Sequence, residues 1–467
     1  MRRTGPPTLG GIAADQLKPS FKEKRLAYPK WETRGFDVPV IHPPTAPAAI
    51  RDGRTMRQLR KSGYGWAVML LLGLAGPLAA QQVLPPQLRD GAPSQVPIAL
   101  QIARWHMLDG DINSLTFHNM DELFVTRTVP RAGRVWELPR ADHPLDFTYQ
   151  FDGATYTPEQ FLERTYTNAL LVMKDGRIVS EIYRNGTNDR TRFMGWSMTK
   201  SITSILVGCA LAEGRIKSLD DPITAYLPEL RGGGYDGVTI RQIMAMRSGV
   251  DYEERYDFDH PGTAASNHIA SLVKNVARFA DVARTVKRIH PPGSVFQYKT
   301  LDTAVLGWLI ERVGGGSNVA SYTAQHLWEP LGAESDAFYI MDGEPGVGRE
   351  FSGAGFNATL RDYARIGQMM LNGGIANGHR IIPADWVREV TSSSGPPGEP
   401  HKIYGLQWWM MGDEGAYSAI GLQGQFIFVD PRSHTVMVKL SYFPPGEGRA
   451  EAETAAFAAA ASAWTPR

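Results

Sequence analysis

The stretch "GWSMTKSITSILVGCALA", residues 195–212, decides how the rest of the chain is read. It places a serine at Ser197 and a lysine three positions later at Lys200, directly ahead of an apolar run. Ile202, Ile205, Leu206 and Cys209 recur at helical spacing, which predicts a helix beginning near the serine. Residues three apart on a helix share a face, so Lys200 can bring its amine to the Ser197 hydroxyl. A lysine works as a base only if its pKa falls from ~10.4 toward neutrality, which burial and the positive end of a helix dipole accomplish. The same helix start offers backbone N–H groups to an oxyanion on an attacked carbonyl. Serine is also a favoured helix cap, so the spacing alone leaves both readings open.

A second copy shows how little the spacing is worth by itself. Ser271-Leu272-Val273-Lys274 lies in "SNHIASLVKNVARFADVARTV", residues 266–286, where Ile269, Leu272, Val273 and Val276 form the stripe of an amphipathic helix. Two distant stretches supply context for the first copy. In "HPPGSVFQYKTLDTAVLGWLIERV", residues 290–313, Tyr298 follows a Pro-Gly turn and precedes a helix. In "AIGLQGQFIFVDP", residues 419–431, Gly424 stands just before a strand, where glycine permits a close approach of backbone or ligand.

The remaining pattern is strands at both ends and helices between. "ALLVMKDGRIVSEIYR" reads as two β-rich runs, Ala169 to Met173 and Arg177 to Tyr183, joined at the turn pair Asp175-Gly176. Helical patterns follow at Ile240 to Met246 and Thr303 to Arg312. Strands return in "QFIFVD" and "TVMVKLSYF", and an Ala-rich helix spans Glu451 to Ala461. This order predicts an α+β chain whose antiparallel sheet is assembled from both ends. Residues 81–150, with scattered aromatics between prolines, read as an extended, mostly irregular wrapping segment.

The bulk numbers exclude several classes. Of 467 residues, 43% are hydrophobic, enough for a sizeable core. The net charge of +1 conceals 13 Lys/Arg against 5 Asp/Glu in residues 1–61. The rest of the chain is therefore mildly acidic and carries no electrostatic footprint for nucleic acid. A lone cysteine, Cys209, allows no internal disulfide, and no His-Glu-x-x-His or Cys/His cluster marks a metal site; no cofactor is expected. "MRQLRKSGYGWAVMLLLGLAGPLAAQQ", from Met56, has the basic, apolar and small-residue regions of a secretory signal. The expectation is translation from Met56, a signal at 56–80, and residues 1–55 disordered or upstream of the true start. The mature chain is then periplasmic or secreted, touching a membrane only through an uncleaved signal.

With the SxxK element, Tyr298 and the Gly424 region fall in the order and approximate spacing of the three active-site elements of penicillin-recognising serine hydrolases. From about residue 150 to 465 the chain resembles the β-lactamase-related serine hydrolases, which include class C β-lactamases, DD-peptidases, esterases and 6-aminohexanoate-dimer hydrolases. Framework phrases such as "LDDPITAYLPEL", "VTIRQIMAMRSGV" and "GAGFNATLRDYARIGQMMLNGG" add to the resemblance. It implies a β-lactamase/transpeptidase-like fold with a five-stranded antiparallel sheet flanked by helices, an all-helical lobe, and a site in the groove between.

Carried over by position, the resemblance implies Ser197 as acylated nucleophile, Lys200 as its proton acceptor and Tyr298 as proton relay. Leu422-Gln423-Gly424-Gln425 is aligned with the third element, which makes the Gln425 N–H the partner of the Ser197 N–H in an oxyanion hole. Leu422, Gln423, Gly424, Tyr252 and Trp408 are candidates to line the groove, with Tyr256 beside Tyr252 at its lip. The α/β-hydrolase elbow G-x-S-x-G is excluded, because Thr199 stands where its second glycine belongs. Two departures shift the substrate: Tyr298 continues to Lys299-Thr300 rather than to an asparagine, and Leu422 replaces a cation that pairs with a β-lactam carboxylate. The expected reaction is hydrolysis of a small ester or linear amide through an acyl-enzyme. The alternatives are a non-catalytic penicillin-binding or sensory module, or a true β-lactamase or DD-peptidase.

Overall fold

Asp175 and Gly176 both take left-handed backbone angles, φ 49° and 74°. That is the type I′ geometry whose twist matches a two-stranded ribbon, and it closes Thr167–Lys174 onto Arg177–Tyr183. The computed structural model describes residues 84–466 apart from 393, 396–402 and 413. The expected upstream extension and signal, residues 1–80, lie outside the described residues. No helix among the described residues is long and apolar enough to cross a membrane.

Thr167–Lys174 is buried along its whole length, which explains the unbroken apolar run Ala169 to Met173 inside it. It pairs with Thr435–Ser441, so the amino-terminal hairpin and the carboxy-terminal strands merge into one sheet. The strand order is Trp409–Met411, Ala416–Gly421, Gln425–Asp430, Thr435–Ser441, Thr167–Lys174 and Arg177–Tyr183, all antiparallel. The sheet has six strands rather than five; the addition is the three-residue edge at Trp409–Met411.

Alternation along these strands divides two cores. Leu170, Val172, Phe428 and Met437 pack with Phe161 and Phe457, from the helices Pro158–Arg164 and Gly448–Ala463. Leu171, Met173, Ile427, Val429, Val436 and Val438 face the larger core, under the helices Met198–Ala212 and Leu360–Leu371. Thr300–Val313 packs against Met198–Ala212. The helical part is not wholly helical: Thr126–Val129, Ala337–Ile340, Phe356–Ala358 and Phe193–Met194 form a second sheet, too short-stranded to show in the sequence pattern.

One expectation is corrected. Residues 266–286 do not form one amphipathic helix: Thr263–His268 passes into a wider turn at Ile269–Val273, and Asn275, at φ 51°, ends it before a 3₁₀ segment at Phe279–Arg284. The segment after residue 84 is irregular over most of its length, yet not without regular elements. It carries short helices at Pro86–Arg89, Ile98–His106, Asn113–Thr116 and Met120–Leu123, and it buries Trp105, Phe117, Met120 and Phe124. Helices of four residues leave no period to detect.

Candidate active site

Ser197 is the residue before Met198–Ala212, with φ −66° and ψ −7°, and its side chain makes no cap hydrogen bond. Its hydroxyl instead meets two side chains. Lys200 Nζ lies 2.9 Å from Ser197 Oγ, and the Tyr298 phenol hydrogen-bonds Ser197. Lys200 Nζ also sits 4.9 Å from the centre of the Tyr298 ring. The three residues that the sequence singled out are brought together, from a helix start and from the loop preceding Thr300–Val313.

Hydrogen-bond accounting fixes how the amine is used. A neutral lysine has two protons and one lone pair. Lys200 Nζ donates to Gly353 O at 2.9 Å, and a carbonyl can only accept. It contacts Thr300 Oγ1 at 3.0 Å, and Thr300 spends its own hydroxyl proton on the Glu254 carboxylate, so the threonine oxygen must also accept. In the neutral amine both protons are then committed and the lone pair is left facing Ser197, whereas the ammonium form donates its third proton to Ser197 Oγ. Burial pushes the Lys200 pKa from 10.5 down to about 8, against a smaller upward pull from Glu254. Burial also holds the Tyr298 phenol well above its ordinary value, so it remains protonated at neutral pH.

Thr300, Glu254 and Gly353 were not singled out from the sequence. Glu254 accepts from Thr300 N at 2.8 Å and from the Tyr256 hydroxyl at 2.5 Å, which holds the threonine in the orientation just described. A Cβ on Gly353 would lie 2.6 Å from Thr300 Cγ2, so only glycine brings that carbonyl within reach of the amine. None of the three has a local sequence signal; each is identified only by what it touches.

The third element needs correction. A Cβ on Gly424 would meet the Phe443 ring, whereas one on Gly421 would lie 2.2 Å from Gly195 O, beside the serine turn. Both glycines are closely approached, but the one that abuts the serine turn is Gly421, three residues before Gly424. Gln425 lies in the next strand, opposite Gly421, with its side chain spent on Leu422 O, Gln423 O and Ser441. Gln423 Nε2 donates to Leu108 O, away from the groove. Leu422 follows Gly421 and is 43% exposed. Neither Ser197 N–H nor Leu422 N–H donates to a backbone carbonyl among the described residues.

Tyr252 and Trp408 are fully buried and line no groove. Trp408 packs edge-on against Tyr417, while the half-buried Trp409 stacks on Tyr298 at 5.6 Å. Lys299 is also buried, its Nζ donating to Gln297 O. The second SxxK copy is structural: Ser271 Oγ donates to Asn267 O, and Lys274 Nζ to Asp90 O and Gln87 O.

A family model described as Beta-lactamase matches residues 159–461. The chain belongs to the beta-lactamase family. Within that family, the 6-aminohexanoate-dimer hydrolase of Paenarthrobacter ureafaciens is 35% identical over 72% of this chain and 87% of its own. A Bacillus anthracis structure assigned the same hydrolase name superposes with a TM-score of 0.69 at 25% identity, covering 79% of this chain and 98% of that one. A penicillin-binding protein from Bacillus halodurans, at 17% identity and a TM-score of 0.51 over 64% of this chain and 99% of its own, shares the fold. This beta-lactamase family member is thus a hydrolytic enzyme of the serine hydrolase kind.

Proposed function

We propose that the protein hydrolyses an ester or open-chain amide through an acyl-enzyme on Ser197. The observation that carries this reading is a serine that does not cap its helix but lies 2.9 Å from a buried lysine whose other hydrogen-bonding capacity is spent. Ser197 Oγ attacks the carbonyl carbon while Lys200 takes its proton, and the carbonyl oxygen becomes an oxyanion. The Ser197 and Leu422 N–H groups receive that charge, Leu422 taking the place first given to Gln425. The Tyr298 hydroxyl protonates the leaving alcohol or amine and recovers its proton through Lys200. Water then attacks the ester, and the same groups return Ser197 to its starting state.

The substrate class follows from charge. A β-lactam carboxylate calls for a cation, yet Leu422 supplies none and the Lys299 ammonium is buried against Gln297 O. The Paenarthrobacter relative is named for the dimer of 6-aminohexanoate, an open-chain amide, which supports a linear acyl donor here.

Labelling with a fluorophosphonate probe, read by mass spectrometry, tests the nucleophile. Ser197→Ala abolishes the label and Ser271→Ala retains it; a label surviving Ser197→Ala rejects the assignment. Nitrophenyl esters, aminohexanoate dimer and nitrocefin then sort the substrates, with nitrocefin expected to be the poorest.

A further inference from the structure

Residues 107–124 precede the 159–461 stretch matched by the family model. They lie against both backbone turns to which the oxyanion donors were assigned above. On the serine side, Met194 N donates to Phe117 O at 2.8 Å, and the Phe117 ring meets the Trp196 indole edge-on at 5.4 Å. Trp196 immediately precedes Ser197 and takes φ 46°, a left-handed conformation rare for a large side chain, so that turn persists only while its surroundings hold it. On the hairpin side, Asn113 is fully buried. Its Nδ2 donates to Phe443 O at 2.8 Å and Tyr442 O at 3.2 Å, and reaches Gln423 Oε1 at 3.4 Å. Gln423 Nε2 returns to Leu108 O at 2.8 Å, and Phe443 N donates to Gln423 O at 3.0 Å.

The two sets of contacts are one helical turn apart. Asn113–Thr116 joins them, and Thr116 Oγ1 closes the loop on Met107 O at 2.7 Å. Movement of the hairpin relative to the serine turn would therefore have to break contacts on one side or the other. The spacing of the two N–H groups is what a tetrahedral oxyanion reads, and it matters far more in the transition state than in ground-state binding.

We propose that residues 107–117 are a brace that sets the oxyanion-hole spacing, with Asn113 as its positioning residue; this rests on the proposed serine mechanism. An amide is required at 113 because every partner is an acceptor. Aspartate, of the same shape, would turn a second oxygen on two carbonyls.

The test uses the full chain with Asn113→Ala, Asn113→Asp and, as a control at an exposed site of the same segment, Leu115→Ala. Measured are the fluorophosphonate labelling rate, kcat and KM for a nitrophenyl ester per labelled site, and inhibition by phenylboronic acid, which forms a tetrahedral adduct on a serine. Both Asn113 variants are expected to lose about tenfold to a hundredfold in labelling rate and kcat, with KM within about twofold and boronate affinity falling in parallel. Asn113→Asp loses at least as much as Asn113→Ala, and Leu115→Ala is unchanged. Should the Asn113 variants fail to melt cooperatively, Gln423→Ala removes the Leu108 link and the 3.4 Å contact with Asn113 while leaving the Asn113 bonds to Phe443 O and Tyr442 O, and is expected to lower kcat in the same pattern. Labelling lost in Ser197→Ala but unaltered in folded Asn113 or Gln423 variants overturns the brace and leaves the nucleophile standing. A change confined to KM or to thermal stability also overturns it. Labelling that survives Ser197→Ala overturns the mechanism beneath it.

Discussion

If Lys200 is the base, the rate must follow its neutral form, and the structure sets where that form appears. With a pKa of about 8, roughly one-tenth of the lysine is neutral at pH 7 and nine-tenths at pH 9. The expected profile of kcat/KM therefore rises about tenfold over those two units, with a midpoint near pH 8. It does not fall again within the assay range, because burial keeps the Tyr298 phenol protonated. Initial rates on a nitrophenyl ester, corrected for spontaneous hydrolysis, and the fluorophosphonate labelling rate both read this profile. Stability carries the same signature with a definite sign. The folded pKa lies below the ordinary value, so the unfolded chain binds more protons between about pH 8 and 10.5, and stability rises with pH across that window. Below pH 8 the folded protein bears the full cost of a buried ammonium, roughly 3 kcal/mol for a shift from 10.5 to about 8. Lys200→Met removes that cost but takes the amine donor away from Gly353 O and from the Thr300 hydroxyl oxygen, which keeps its own bond to Glu254, at about 1 kcal/mol each. The variant is expected to be inactive, yet slightly more stable than the parent at pH 7, by roughly 1 kcal/mol. A rate profile flat from pH 6.5 to 9, or a variant clearly less stable than the parent at pH 7, would refute this account of the lysine.

Two further substitutions probe neighbouring parts of the site. Gly421→Ala places a methyl 2.2 Å from Gly195 O, so the strand must withdraw from the serine turn; we expect a stability loss of about 1–3 kcal/mol by thermal melting and a larger proportional loss of kcat than Gly424→Ala gives. Glu254→Gln removes the charge that holds the Lys200 pKa up, so the rising limb of kcat/KM moves to lower pH; a limb that moves to higher pH counts against the Lys200–Thr300–Glu254 arrangement.

Much of the fold was legible because it rests on local periods. The Asp175-Gly176 turn, the strands around Phe428 and Val438 and the helix after Ser197 each announce themselves in a few consecutive residues. The short strands of the second sheet and the four-residue helices around Asn113 do not, since their stability comes from packing rather than propensity. At the site, Ser197 and Lys200 were singled out by helix spacing and Tyr298 by the family resemblance, and the structure brings the three side chains together. That Gly421 rather than Gly424 packs on the serine turn was not readable, because the two glycines sit in one hairpin and look alike in sequence.

The sequence by itself determined the chemical types and their order: a serine and a lysine one turn apart, a tyrosine ahead of a second helix, a glycine-bearing hairpin, and no cation beside it. Only the tertiary structure decided what each SxxK lysine touches. Lys274 spends its amine on the carbonyls of Gln87 and Asp90, while Lys200 is held by Gly353 O and Thr300 Oγ1 with Ser197 Oγ as its third neighbour. That difference is one of partners drawn from distant parts of the chain, and local spacing does not encode it.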